Sequence, residues 1–224
     1  MSDKGKRTKI KVCGLTTLAD ARFVSGAQAD FLGFIFYPES PRYIEPAKAG
    51  AIINWVEGPE KVGVFVNQPL DDVNEIAKQT GLDLVQLHGM ESPGYCDMID
   101  LPVIKVFHIR EGMRADELAD EISNYKEVAD YFLFDNKSDH RWGGTGQTFD
   151  WTILKELSLQ KIPFFLSGGL NLGNVEEAIG RVQPDAIDVA SGLEESPGVK
   201  DYEKTELFFD KMREIWEKQE EGVL

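Results

Sequence analysis

Cysteine is scarce in this sequence: Cys13 and Cys96 are the only two among 224 residues. Two cysteines without a CxxC spacing argue against a disulfide framework and favour a reducing cytoplasm as the location. The polar stretch 1–12 contains no apolar signal core, and no run of about 18 apolar residues could cross a membrane. We therefore expect a cytoplasmic protein with no membrane partner.

Positive charge is also limited, because 24 Lys and Arg stand against 39 Asp and Glu, for a net charge of −15. A nucleic-acid-binding protein needs a basic surface for the phosphate backbone, so we expect no nucleic-acid partner. A local anion site is still compatible with this charge, since backbone N–H groups can hold a phosphate.

No Pro- or Ser-rich linker divides the chain, and short apolar runs alternate with helical patterns throughout. Eight runs predict buried parallel strands, at 9–13, 31–36, 62–66, 84–87, 103–107, 131–134, 164–167 and 186–190. Eight strand–helix units in this length favour a single α/β domain over 1–224, a (β/α)8 TIM barrel. An open doubly wound sheet is the alternative. The barrel should span about 8–216, and the charged tail 217–224 should be solvated or frayed.

In such a barrel the active site lies at the carboxyl ends of the strands, where this chain is polar and rich in glycine. Gly168-Gly169 and Ser191-Gly192 follow the seventh and eighth runs, which is where many barrels bind phosphate. The loop after the sixth run contains a further set, Gly144, Thr145 and Gly146. Each glycine pair alone is typical of a tight turn, but together they favour a phosphate site.

Two strand ends carry groups suited to acid–base chemistry. Cys13 ends the first run and is either a small buried hydrophobe or a base whose thiolate a local positive field stabilises. Asp135 ends the sixth run and is either a cap for the next loop or a general acid.

Other polar residues at the strand ends suit substrate binding. Arg42 could hold a carboxylate through two parallel hydrogen bonds, or could be a surface arginine. Asp188 could reach a ligand or be a satisfied core group. His88 and His108 end neighbouring runs, yet no HExxH or HxH pattern supplies a third ligand, so we expect no metal.

Taken in order along the chain, these motifs resemble the phosphoribosylanthranilate isomerase family of tryptophan biosynthesis. No single segment would suffice, but the set is specific and covers nearly the whole chain. The matching segments are KVCGLT (11–16), LGFIFYPESPRYI (32–44), VGVFVN (62–67), VQLHG (85–89), GGTGQTFDW (143–151), SGGLNLGNV (167–175) and DVASGLEESPGVKD (188–201).

The resemblance implies a TIM barrel without a cofactor that catalyses an Amadori rearrangement. N-(5-phosphoribosyl)anthranilate would become 1-(2-carboxyphenylamino)-1-deoxyribulose 5-phosphate. Asp135 matches the general acid, Cys13 the general base and Arg42 the residue that holds the anthranilate carboxylate. The remaining expected substrate contacts are Asp188 near the ribose hydroxyls, His88, and a phosphate site at Gly144, Thr145, Gly146, Gly168, Gly169, Ser191 and Gly192.

Two other functions are compatible with part of this pattern. The related sugar-phosphate isomerases of histidine biosynthesis resemble duplicated half-barrels with an aspartate ending the first strand, whereas this chain has Cys13 there and no evident repeat. A non-catalytic phosphosugar-binding barrel would not need an acid, a base and a carboxylate clamp together. The oligomeric state stays open between monomer and homodimer.

Overall fold

A computed structural model describes residues 7–136, 150–155, 157 and 162–224 of the chain. Eight parallel strands close into a barrel in sequence order, with β1 pairing both β2 and β8. They are Lys9–Val12 (β1), Phe31–Ile35 (β2), Glu60–Phe65 (β3), Leu84–Leu87 (β4), Val103–Ile109 (β5), Tyr131–Asn136 (β6), Phe164–Leu166 (β7) and Ala186–Val189 (β8). The predicted barrel is confirmed, and no strand boundary differs from the prediction by more than two residues.

Each strand is followed by a helix that covers the outside of the barrel. Thr17 caps the first of them, accepting a hydrogen bond from the Asp20 backbone N–H. None of the helices in the described ranges is long and apolar enough to span a bilayer. They are Leu18–Gly26 (α1), Pro46–Ile53 (α2), Leu70–Thr80 (α3), Pro93–Cys96 (α4), Ala115–Ser123 (α5), Thr152–Lys155 (α6), Val175–Val182 (α7) and Tyr202–Glu220 (α8).

Side chains alternate between two separate cores, because successive residues of a strand point to opposite faces. The larger core lies between the strands and the helices. A smaller one fills the barrel interior with residues from seven strands: Phe31, Val62, Leu84, Ile104, Val106, Leu133, Phe165 and Ala186. The inward residues nearer the carboxyl ends are polar, so the packed interior forms the floor of a cleft.

The charged tail 217–224, predicted to be solvated or frayed, is mostly exposed, but its first residues are helical rather than frayed. Helix α8 continues to Glu220, and its last turns are fastened to the start of β1. Gln219 accepts from the Thr8 backbone N–H at 3.0 Å and donates to the Thr8 hydroxyl at 2.9 Å, while the Trp216 indole donates to the Thr8 carbonyl at 2.8 Å. The sequence pattern missed these bonds because their partners lie about 200 residues apart.

A short segment between β8 and α8 carries polar groups toward the cleft. It contains a 3-10 turn at Ser191–Leu193 and an antiparallel pair of strands, Glu194–Ser196 (β9) and Val199–Lys200 (β10). This hairpin lies beside the carboxyl end of β1, because the Thr16 hydroxyl donates to the Gly198 carbonyl at 2.6 Å.

Candidate active site

A cleft opens at the carboxyl ends of the strands. Among the described residues, its walls bring together a thiol, an imidazole, an arginine and two carboxylates from different strands. The lining residues are Cys13, Ile35, Tyr37, Ser40, Arg42, Val64, Val66, Gln86, His88, Asp135, Ser167, Asp188 and Ala190.

Cys13 lies directly after β1, and its backbone N–H extends the ladder to Val189 at 2.9 Å. The side chain fits only because its neighbour on β2 is Gly33, where a Cβ would come within 2.8 Å of the sulfur. Burial raises the pKa of the Cys13 thiol above its ordinary value, against the lowering effects of Lys11 and Lys200. The resting group is therefore a thiol at neutral pH, although two cations favour its ionisation.

Lys11 and Asp188 form an ion pair inside the barrel beneath Cys13. They are partners in the β1–β8 ladder, and Lys11 Nζ donates to Asp188 Oδ1 at 2.9 Å. The Lys11 side chain is 0% exposed. Burial disfavours its ammonium, but Asp188 and Cys13 outweigh that effect and raise the pKa of Lys11. The lysine is therefore charged throughout the neutral range.

Asp135 is the penultimate residue of β6, across the cleft from Cys13. Its Oδ1 accepts from the Asn136 backbone N–H at 2.8 Å, and its Oδ2 lies 3.5 Å from His88 Nε2. That separation is too long for a good hydrogen bond, and His88 Nε2 is buried without a hydrogen-bond partner among the described residues. Gln86 Nε2 lies 3.0 Å from the other ring nitrogen, His88 Nδ1. Gln86 Oε1 is also buried without a hydrogen-bond partner among the described residues. These orphaned atoms on the cleft wall suit a hydroxyl-bearing ligand.

His108 adds a second imidazole beside the acid. Its Nε2 donates to the His88 carbonyl at 2.9 Å, and the two rings pack edge to face. Burial and the neighbouring His88 lower the pKa of His108 to about 4, so this ring is neutral at pH 7. The ligand atoms of His88, His108 and Asp135 lie within 4.8 Å of one another, a spacing that could hold a metal ion. The sequence argument against a metal assumed that no third ligand was near, and Asp135 is near.

Arg42 lies at the opposite rim, packed against Gly14, where a Cβ would lie 2.6 Å from Arg42 Cδ. Its Nε and Nη2 donate to the two carboxylate oxygens of Glu194 at 2.9 and 2.6 Å. Lys200 donates to Glu194 at 3.1 Å, to the Cys13 carbonyl at 2.7 Å and to the Ala190 carbonyl at 3.3 Å. Three acceptors match the three N–H groups of an ammonium.

This buried group of three carries an excess of positive charge. Burial favours the neutral acid, but bonding to Arg42 and the charge of Lys200 outweigh burial and lower the pKa of Glu194. Burial in turn lowers the pKa of Lys200, against the opposing effect of Glu194. Two cations thus share one carboxylate at the rim, which favours an anionic group on the ligand.

The two described glycine-rich loops meet at one end of the cleft. Gly168 and Gly169 have positive φ angles of 89° and 69°, and Gly192 packs so closely on the preceding loop that a Cβ would lie 2.1 Å from the Leu170 carbonyl. The cleft lining includes Ser167 and Ala190, which immediately precede these loops along the chain. The other predicted phosphate contacts, Gly144, Thr145 and Gly146, lie outside the described residues.

Four polar residues of the site were not predicted from the sequence: Lys11, Gln86, Glu194 and Lys200. A signal for the first two was present, because each is a polar residue two positions before a predicted site residue and is flanked by apolar residues. A period of two places both residues on the inner face of a strand. Glu194 and Lys200 have no such local signal, because their partners come from distant parts of the chain.

Comparison with known proteins gives a consistent result over nearly the whole chain. The family model described as N-(5'-phosphoribosyl)anthranilate (PRA) isomerase matches residues 10–211. An N-(5'-phosphoribosyl)anthranilate isomerase of Citrifermentans bemidjiense is 46% identical over 211 residues, which cover 93% of this chain and 98% of that protein.

Solved structures of the same name are also similar. Monomers generated from the dimeric phosphoribosylanthranilate isomerase of Thermotoga maritima are 35% identical with a TM-score of 0.81, covering 92% of this chain and 99% of that one. A phosphoribosylanthranilate isomerase in complex with reduced 1-(o-carboxyphenylamino)-1-deoxyribulose 5-phosphate is 34% identical with a TM-score of 0.81 at the same coverage.

Proposed function

Because the chain belongs to the N-(5'-phosphoribosyl)anthranilate isomerase family, we propose that Cys13 is the general base and Asp135 the general acid of this isomerisation. The chain converts N-(5'-phosphoribosyl)anthranilate to 1-(2-carboxyphenylamino)-1-deoxyribulose 5-phosphate in tryptophan biosynthesis. One observation carries the residue assignment: a thiol and a carboxyl group line one cleft, from strands three steps apart around the barrel.

The reaction needs one proton delivered and one removed. Asp135 gives its proton to the ring oxygen of the furanose, the C1–O bond breaks, and the open chain is a protonated Schiff base. Cys13 as thiolate then takes the proton from the second sugar carbon, and the electron pair moves to form the enolamine. The enolamine relaxes to the ketone. Each positioned group contributes about 10²- to 10⁴-fold to the rate.

Substrate binding is assigned to the groups around this pair. The anthranilate carboxylate binds Arg42, whose Nη1 is not used by the two-pronged pair with Glu194, and the surplus positive charge at that rim supports the assignment. The phosphate binds backbone N–H groups of the two glycine-rich loops described above and of 144–146. The ribose hydroxyls face Asp188 and His88, and the unpartnered His88 Nε2 supports this placement.

The chemistry itself requires no redox cofactor, because hydrogen and electrons are only redistributed within the substrate. The described site draws all its groups from one chain, so a monomer and a homodimer would both carry it. We also propose a cytoplasmic location, since the mechanism needs the Cys13 thiol reduced, and both cysteines are free.

Loss of the substrate's anthranilate fluorescence signal without added cofactor measures turnover directly. Cys13→Ser and Asp135→Asn should each lower kcat by about 10²- to 10⁴-fold while still binding the reduced product analogue in a titration. Cys96→Ser in α4 and the exposed Asp97→Asn are the matched controls. Near-wild-type turnover in either site variant would remove that residue's role. Wild-type protein that binds the analogue without turnover would instead be a phosphosugar-binding module.

A further inference from the structure

The ion pair between Lys11 and Asp188 occupies a part of the barrel that is normally filled by apolar side chains. Lys11 is completely buried and Asp188 nearly so. An ion pair in such a place is often no more stabilising than two apolar residues of similar size, so stability alone is a weak reason for it. Functional sites are places where charged groups are arranged to shift the pKa of a neighbour, so the groups next to this pair are of interest.

The neighbouring group is Cys13. It lies two residues after Lys11 on the same inward face of one strand, which is about 6.6 Å along the backbone. Asp188, which accepts from the Lys11 ammonium at 2.9 Å, lines the same cleft as Cys13. Burial raises the pKa of the Cys13 thiol, and the charge of Lys11 acts against that effect.

We propose that Lys11 is a positioning residue for the base: its buried ammonium supplies the counter-charge for the Cys13 thiolate. This role rests on the proposed function of Cys13 in proton transfer. A thiolate in an apolar cavity is costly without a compensating cation, and Lys11 provides that cation from below, where substrate cannot displace it.

The other charged groups around Cys13 do not replace Lys11. Lys200 approaches from the β9–β10 hairpin, but it binds the Cys13 backbone carbonyl and shares its charge with Glu194. Arg42 packs over Gly14 and is also paired with Glu194. Asp188, from β8, opposes thiolate formation. The neighbouring strand on the other side, β2, places Gly33 there and no charge.

Two substitutions that break the same ion pair therefore have opposite effects on the thiol. Lys11→Met removes the counter-charge and should make the thiolate rarer. Asp188→Asn removes the negative charge that opposes the thiolate and that also stabilises the ammonium. Cys13 is then the anionic partner that Lys11 has left, so the thiolate should become more common. A single neighbouring charge shifts a pKa by about 1 to 3 units. Such a shift changes the fraction of ionised thiol at least tenfold at a pH below the pKa. A purely structural ion pair would give changes of the same sign in both variants.

The test is the rate of Cys13 alkylation by iodoacetamide from pH 6 to 10, read separately from Cys96 by peptide mass spectrometry. At pH 8 we expect Cys13 to be alkylated at least tenfold more slowly in Lys11→Met than in the wild type, and faster than in the wild type in Asp188→Asn. In Lys11→Arg, which keeps the charge, the rate should be within a few-fold of the wild-type rate. Lys9→Met is the matched control, because Lys9 is on the same face of β1 but further from the cleft. Circular dichroism and urea unfolding establish that each variant folds.

Unchanged alkylation in Lys11→Met, or slower alkylation in Asp188→Asn, would overturn the proposal. If Lys11→Met does not fold, the direction of the change in Asp188→Asn still decides the sign. The readout does not depend on turnover. A Cys13→Ser variant with full activity would therefore refute the role of Cys13 as the base without changing the alkylation result for Lys11. Failure of the proposed base and failure of the proposed role of Lys11 are thus distinguishable.

Discussion

Gly33 on β2 provides the space that the sulfur of Cys13 occupies directly after β1. A Cβ at position 33 would lie 2.8 Å from Cys13 Sγ and 3.0 Å from its Cα. The first distance is too short for non-bonded atoms, and the second would force a backbone atom to shift. The orientation of the proposed base thus depends on a missing side chain in the neighbouring strand.

Gly33→Ala should displace Cys13 and lower kcat by about tenfold to a hundredfold, since small misplacements of a reacting group are costly. Overpacking should also cost about 1 to 3 kcal/mol of unfolding free energy. Steady-state kinetics and urea denaturation measure the two effects. Gly26→Ala is the control, because a Cβ there meets nothing within 4 Å. Wild-type kcat in Gly33→Ala would contradict this account of Cys13.

Activity should rise with pH through the neutral range. Burial raises the pKa of the Cys13 thiol, so the thiolate is the minor form at pH 7 and its fraction grows about tenfold per pH unit below that pKa. The ratio kcat/KM should therefore increase from pH 6 to 8.5 when measured in buffers of constant ionic strength. A plateau already reached at pH 7 would mean that thiol ionisation does not limit the reaction.

Arg42→Ala should raise KM by about 10- to 100-fold with kcat changed only a few-fold, because a charge-assisted hydrogen bond to substrate contributes about 1.5 to 3 kcal/mol. Arg42→Lys keeps the charge but loses the planar guanidinium, so its KM should lie between those of the wild type and Arg42→Ala. Arg114→Ala, which changes an exposed arginine, is the control. An unchanged KM in Arg42→Ala would remove its proposed role.

Acid should destabilise the protein partly through His108. The unfolded residue takes up a proton below about pH 6.5, whereas the folded one resists protonation down to a pKa of about 4. Stability is therefore lost as pH falls between these values, by about 2 kcal/mol at pH 5 relative to pH 7.5. The His108→Gln variant should therefore lose about 2 kcal/mol less unfolding free energy than the wild type between pH 7.5 and pH 5. Urea unfolding at the two pH values measures this difference. Equal losses in both proteins would show that His108 is not the acid-sensitive group.

The sequence was sufficient for the barrel and for part of the site, for a physical reason. Strands buried on both faces are mostly apolar, so their runs stand out even where a polar residue such as Lys11 interrupts them. The position of Cys13 and Asp135 at run ends follows from the fold. The bond from Arg42 to Glu194 spans 152 residues, and nothing local at either position indicates its partner. The raised pKa of Cys13 likewise depends on packing from β2, β8 and the hairpin.

The pairing of β1 with β8 has a consequence for the newly made chain. Lys11 and Asp188 are 177 residues apart, and α8 fastens Thr8 only after almost the whole chain has been synthesised. Contacts between such distant segments form late, because a long loop must close first. The electrostatic setting of Cys13 is therefore assembled only when β8 has been synthesised and pairs with β1 to close the ring.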